Sequence, residues 1–218
     1  MLHAADSITA AHTGTTPFSG RADALLLAAR LITHSYRIAT KHSALASTGI
    51  LTLSPGSVNT IPGNVQFSLD VRAPADATVE SVEAALKKDF EALAQGQDVD
   101  GNGAAYPSSP PLSVTWTTDS VSPAVLFHKD CIDAVRASAE SVLGNSSLYQ
   151  DMTSGAGHDS VYTSRWCPTS MIFVPSRKGI SHNPEEYTSP EDCAIGAEVL
   201  CQSVLRYDRL MAQRATSS

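Results

Sequence analysis

The run Met171-Ile172-Phe173-Val174 is apolar at every position, and two polar islands bracket it: Ser154-Gly155-Ala156-Gly157-His158-Asp159 and Gly179-Ile180-Ser181-His182-Asn183-Pro184. A strand with one wet face alternates apolar and polar side chains. An unbroken run instead predicts a strand covered on both faces, as in a parallel α/β sheet. Loops at the ends of such strands are where α/β proteins place their ligands and chemistry. Here each loop carries a histidine. Glycine lets backbone approach a ligand closely and neutral imidazole is the commonest metal ligand, so each island reads as a fragment of a site.

Composition narrows the class of partner. With 218 residues, 42% of them hydrophobic, the chain is long enough for one large domain or two small ones. A net charge of -7 argues against a nucleic-acid surface or a basic membrane patch, which leaves a small molecule or another protein. The first residues lack a basic segment followed by an apolar stretch, and no segment approaches the roughly 20 apolar residues that span a bilayer, so a cytoplasmic protein is expected. Cys131, Cys167, Cys193 and Cys201 show no C-x-x-C spacing. The last two, on one expected helix, are separated by roughly 12 Å at about 1.5 Å per residue, too far to bridge. Reduced structural thiols follow from spacing and compartment.

Periodicity organises the chain in two parts. Leu25, Ala29, Ile32 and Tyr36 recur at helical spacing after Thr16-Pro17 and predict a helix ending near Thr40 with that stripe inward. Residues 48–53 and 65–71 read as neighbouring antiparallel strands separated by Ser54-Pro55-Gly56 and Pro62-Gly63. In the second, Val65, Phe67, Leu69 and Val71 share one face, and Arg72 projects from the other. A helix capped by Thr78 then buries Val79, Val82, Leu86, Phe90 and Leu93. A polar loop over 95–111 leads to a strand at 112–116. With a short leading strand at 7–11, the order is β-α-β-β-α-β, a ferredoxin-like split βαβ arrangement. From about Val121 the pattern turns to α/β: a helix over 129–143, a short strand at 147–151, the first island, the apolar strand and the second island. A long last helix closes the chain, with Ser189 as N-cap, Pro190 at N1, and Glu191 and Asp192 set against its dipole.

The second part supplies two strands of a parallel sheet, yet residues 171–174 require cover on both faces and neighbours along both edges. Completion by another polypeptide, or by a further portion of a longer enzyme, is the expectation.

Four segments stand together in this order: His12-Thr13-Gly14-Thr15-Thr16-Pro17, Val58-Asn59-Thr60-Ile61-Pro62-Gly63 running on to Asp70-Val71-Arg72, the first island and the second. In this the chain resembles the metal-dependent amidohydrolases that include N-carbamoyl-L-amino-acid hydrolases, allantoate amidohydrolase and β-ureidopropionase, within the aminoacylase and metallocarboxypeptidase superfamily. The resemblance covers nearly the whole chain from His12. It implies a lid and dimerisation domain over residues 7–121 and the C-terminal part of a parallel-sheet catalytic domain over 122–218. It also implies a homodimer in which lid residues of one subunit reach the active site of the other.

Roles follow from the same resemblance. His182 matches a metal ligand, with Ser181 and Asn183 around it; the ion would be zinc, manganese, cobalt or nickel. His12 matches a catalytic lid histidine that stabilises the oxyanion formed when metal-activated water attacks a ureido carbonyl. Asn59 and Arg72 match residues that hold the substrate carboxylate, for which a planar guanidinium offers two parallel hydrogen bonds. His158 matches a substrate-contacting histidine, while Asp159 reads as a helix cap. The substrate expected is a small carboxylate of the N-carbamoyl amino acid type.

The sequence departs from the family's pattern in one respect that bears on activity. The other metal ligands and the glutamate base precede the lid in that family, and no His-x-Asp or Glu-Glu pair precedes His12 here. One histidine does not hold two metals. Phe18 also stands where a methionine is common. Three readings remain open: the lid and C-terminal part of an amidohydrolase, inactive without the remainder; a metal-free relative that binds a small carboxylate; and a dimerisation or regulatory module for a full-length homologue.

Overall fold

The computed structural model describes residues 10–99, 101 and 112–217, and the backbone of residues 2–4. The chain divides after Ala124 into two compact units. Among the described residues every strand lies in the first unit, and every pairing is antiparallel. No described helix is long and apolar enough to cross a membrane.

The main sheet of the first unit has four strands: β1 (Leu2–Ala4), β4 (Leu51–Ser54), β6 (Asn64–Phe67) and β8 (Val114–Trp116). Their order is β4-β6-β1-β8. Two short ladders flank it: β2 (Ala11–His12) pairs with β5 (Thr60–Ile61), and β3 (Leu45–Ser47) with β7 (Asp70–Arg72). The leading strand expected at 7–11 falls partly outside the described residues, as does much of the 95–111 loop. Within the described part, Ala11 and His12 join β5 and not the main sheet. The strand pairing with β6 and β8 is Leu2–Ala4.

Two helices, α1 (Ala24–Lys41) and α2 (Asp76–Ala94), pack with Val65 and Phe67 in one core. Phe67, Val82 and Phe90 are fully buried, and the Phe90 ring stacks on Trp116 with centroids 5.2 Å apart. Each such phenylalanine contributes about 1.5–3 kcal/mol of burial.

Helix α1 departs from its expected orientation. It buries Leu27, Ala28, Leu31, His34 and Ser35; of the expected stripe Leu25 and Ile32 pack partly buried against the same core, while Ala29 and Tyr36 are exposed. The reason is polar: His34 Nε2 meets Asp89 Oδ2 of α2 at 2.8 Å, so a histidine lies on the inward stripe where its hydrogen bond offsets desolvation. Thr78 is likewise not the cap of α2. The helix starts at Asp76 with Ala75 at the cap position, and the Asp76 carboxylate accepts from Ala124 N–H at 2.8 Å.

Both expected hairpin strands are interrupted at one level. Ser47 pairs with Asp70 and Leu51 with Phe67, so three residues, 48–50, oppose two, 68–69. This is a β-bulge, which bends the strands and re-aims the side chains beyond it. Ser68 holds it: its hydroxyl accepts from Gly49 N–H at 3.2 Å and Ile50 N–H at 3.0 Å, and its own N–H donates to Ile50 O at 3.0 Å.

The second unit is built on α3 (Lys129–Leu143) and α5 (Pro190–Thr216), with a short α4 (Asp159–Thr163) between them. Small buried residues, Ser138 and Ala139 on α3 and Val199 and Ser203 on α5, let the two long helices approach. Helix α5 starts as its sequence predicts: Ser189 caps through Asp192 N–H at 3.0 Å, with Pro190 first in the helix. The parallel sheet expected here is not formed by the described residues. Residues 147–151 open with a 3-10 turn over Ser146–Leu148. Residues 171–174 form no strand, and Phe173 is 46% exposed. A strand needs edges to bond, and the described residues offer this run none. Helix α5 lies close over one side of it, since a Cβ on Gly196 would fall 2.4 Å from Val174 Cγ1. All four cysteines are free thiols.

Candidate substrate-binding and catalytic site

In the first unit the β2–β5 ladder brings two of the expected residues to one place. His12 sits opposite Thr60, and Thr13 N–H donates to Asn59 O at 2.9 Å, so His12 and Asn59 are neighbours across the ladder. After His12 the chain turns tightly: Thr15 N–H and Thr16 Oγ1 both donate to His12 O, at 3.4 and 2.9 Å. The turn returns Gly14 N–H to His12 Nδ1 at 3.1 Å. A nitrogen that accepts a hydrogen bond carries no proton, so the neutral His12 ring has its N–H at Nε2. Such an imidazole donates outward and suits stabilisation of a developing oxyanion. Gly14 allows the ring to fold back, because a Cβ there would lie 3.3 Å from His12 Cε1.

The Asn59 side chain is oriented by its neighbours: its Oδ1 accepts from Ser57 Oγ at 2.8 Å and Thr60 Oγ1 at 3.3 Å. With the carbonyl oxygen so engaged, the amide group is the part able to donate to a carboxylate.

Arg72 lies on β7 just beyond the bulge and is 52% exposed at the side chain. Its Nε and Nη2 donate to Asp70, at 3.0 and 2.7 Å to Oδ2. These hydrogen bonds, and then the charge of Asp70, hold the guanidinium more firmly protonated than usual. Asp70 and Arg72 share a strand face because they are two residues apart. That spacing is a signal from which this pairing could have been read.

The second unit holds the two remaining residues, on separate loops. His158 precedes α4, its Nε2 is 2.7 Å from Ser154 Oγ, and its ring meets Phe173 edge-on at 5.6 Å. The first island is thus tied to the apolar run through one histidine. His182 is exposed and adopts a left-handed backbone, φ 55°, in a turn closed by its N–H donating to Glu186 Oε2 at 3.0 Å. Asn183 Oδ1 accepts from Glu185 N–H at 2.9 Å within the same turn.

A divalent ion does not find a site in these residues alone. Catalytic metal centres use about three protein ligands, and no group of three His, Cys, Asp or Glu side chains suited to an ion occurs among the described residues. His182 is a single imidazole. Besides Asp70, sequence reasoning misses Arg21, whose guanidinium reaches Thr16 O at 2.8 Å and Thr13 O at 2.7 Å.

Residues 4–206 match peptidase family M20/M25/M40. The chain belongs to this family. It is 34% identical over 201 residues to an N-carbamoyl-L-amino-acid amidohydrolase of Rhizobium meliloti, covering 89% of this chain and 44% of that protein. With the allantoate amidohydrolase of Bacillus subtilis it shares 32% identity over 193 residues, 87% of this chain and 42% of that one. Among solved structures, an amidase of the hydantoinase/carbamoylase family from Burkholderia multivorans superposes with a TM-score of 0.77 at 35% identity, over 93% of this chain and 45% of that one. AtUAH, solved with glyoxylate, gives 0.74 at 29% identity, over 94% and 46%. The chain therefore spans less than half the length of these relatives.

Proposed function

We propose that this chain supplies the substrate-gripping lid and the C-terminal catalytic part of an amidohydrolase that cleaves a linear amide or ureido C–N bond in a small carboxylate of the N-carbamoyl amino acid type. The observation that carries the reading is the β2–β5 junction. There a histidine fixed as an outward donor sits beside an asparagine whose amide is turned to donate. The relatives' names support the substrate class, as does the glyoxylate carried by AtUAH, itself a small carboxylate. In this reading Arg72 and Asn59 hold the carboxylate, His12 steadies the oxyanion and His158 contacts substrate.

His182 would be one ligand of a divalent ion in the assembled enzyme. The other ligands and the general base would come from residues corresponding to the rest of the relatives' length, in the same or another polypeptide. This chain by itself would not complete hydrolysis. The first unit is read as the ferredoxin-like lid, a reading supported by two helices on a four-stranded sheet in the order β4-β6-β1-β8. It is also read as the homodimer contact, because the edge strand β4 exposes Leu51 and Leu53, with exposed Ile50 just before it. In the second unit, the uncovered Phe173 of the apolar run and Leu200, Val204 and Leu205 of α5 are read as surface that the remaining catalytic part would cover.

Titration of the purified chain with N-carbamoyl amino acids, monitored by amide and side-chain NMR, tests the binding half. Signals of His12, Asn59 and Arg72 should move, and Arg72→Ala should abolish the movement. Supplying the other half of the Rhizobium meliloti relative should restore ammonia release, sensitive to a chelator and lost in His182→Ala. No binding by the chain, with no release after complementation, sinks the reading.

A further inference from the structure

Arg21 stands nine residues after His12 and is half-buried beneath the turn that presents it. Its Nε and Nη2, the two donors on one edge of the guanidinium, reach Thr16 O at 2.8 Å and Thr13 O at 2.7 Å. The Phe18 ring lies under the guanidinium carbon at 4.5 Å, a cation–π contact on its flat face. Arg21 is itself anchored: its N–H donates to Phe18 O at 3.3 Å, and α1 begins three residues later, capped by Asp23 through Leu26 N–H at 3.0 Å.

The Thr13 carbonyl and the Gly14 N–H belong to one planar peptide unit and point in opposite directions. A guanidinium fixed on the carbonyl therefore fixes where the N–H points, and that N–H is the one donated to His12 Nδ1. A charge-assisted hydrogen bond on the oxygen also polarises the unit and makes the N–H a stronger donor. The second tooth of the fork, on Thr16 O, stops the guanidinium from rotating about the first.

We propose that Arg21 is a positioning residue for His12: by clamping the Thr13–Gly14 peptide it holds the imidazole with the proton on Nε2, so that the ring presents a donor outward. This deepens the role given to His12 above and rests on that reading for its catalytic meaning. The coupling itself is a property of the free chain. A lysine cannot replace Arg21, because one ammonium does not bond two carbonyls in parallel as a planar fork does.

The test is the ring nitrogen spectrum of His12 in the full chain labelled with 15N-histidine, at a pH where the ring is neutral. In the native chain Nδ1 should appear as the unprotonated nitrogen and Nε2 as the protonated one. In Arg21→Ala and Arg21→Lys the two resonances should move toward each other, the signature of a ring exchanging between tautomers. Methylguanidinium added to Arg21→Ala should return them toward native positions. A native His12 pattern in Arg21→Lys, or in a folded Arg21→Ala, would overturn the proposal and leave Arg21 with a packing role only. Should Arg21→Ala fail to fold, Arg21→Lys carries the decision alone. Because no substrate enters the measurement, a coupled tautomer in a chain that binds no carboxylate would uphold the clamp and fail the function, whereas carboxylate binding with an uncoupled ring would do the reverse.

Discussion

Asp70 occupies the edge of Arg72 that a substrate carboxylate would use, so Asp70→Asn should tighten carboxylate binding. The side chains are 52% and 50% exposed, and a pair so solvated contributes about 0.2–1 kcal/mol after screening. An incoming carboxylate must displace that interaction. Removing the competing charge should raise affinity by the same amount, about 1.4- to 5-fold at about 1.4 kcal/mol per tenfold. The assay is NMR or calorimetric titration with an N-carbamoyl amino acid, run at low and at physiological ionic strength. The gain should shrink as salt rises, because exposed charges are screened over about 8 Å at 0.15 M. Arg72→Ala in the same titration should lose the binding. An affinity unchanged in both variants would refute the reasoning, since it would mean the carboxylate sits elsewhere.

Phe90→Ala should cost about 3–5 kcal/mol, read as a lower urea midpoint at unchanged slope, because Phe90 is fully buried against Trp116. Gly196→Ala gains about 0.8–1 kcal/mol of helix propensity but places a methyl 2.4 Å from Val174 Cγ1, and overpacking of about 1–3 kcal/mol should make it destabilising. The Val174→Ala, Gly196→Ala double variant should recover that loss in thermal melts, and a stabilised single variant would contradict the contact. The Arg214 hydrogen bond holds the Asp130 carboxyl below its usual range. A folded value below the unfolded one of about 3.9 gives stability that is present above that pH and lost as pH falls through the folded value. Urea midpoints across the acid range should therefore fall less steeply in Asp130→Asn than in the native chain.

Local signals were legible where they were redundant. Helix α3 spans Lys129–Leu143 as expected, and the Ser189-Pro190 start of α5 follows from capping chemistry that acts within one turn. The alternation of Val65 and Phe67 and the stripe Val82, Leu86, Phe90 and Leu93 were equally plain. Long-range terms were not. The inward face of α1 depends on Asp89, 55 residues after His34, and the bulge depends on a hydroxyl opposite Gly49. The run at 171–174 has strand composition, but strand pairing requires partners that the described residues lack. For the candidate site, His12 and Asn59 were recognisable from their flanking residues and meet across one ladder. The hold of Asp70 on Arg72 is implicit in their two-residue spacing, whereas that of Arg21 on the Thr13–Thr16 turn depends on how the chain folds back after His12.

The bulge at 48–50 makes Ser68 a joint between two ladders. On one side, β4 and β6 belong to the sheet whose inner face is the helix-covered core. On the other, the three-residue ladder carrying Arg72 packs Ala46 and Val71 against that same core, and Ser68 joins the two through a hydroxyl shared between two amides and through its own N–H. A change at position 68 would therefore strip two neighbouring amides of their common acceptor at the very step from which the cationic side chain of Arg72 projects.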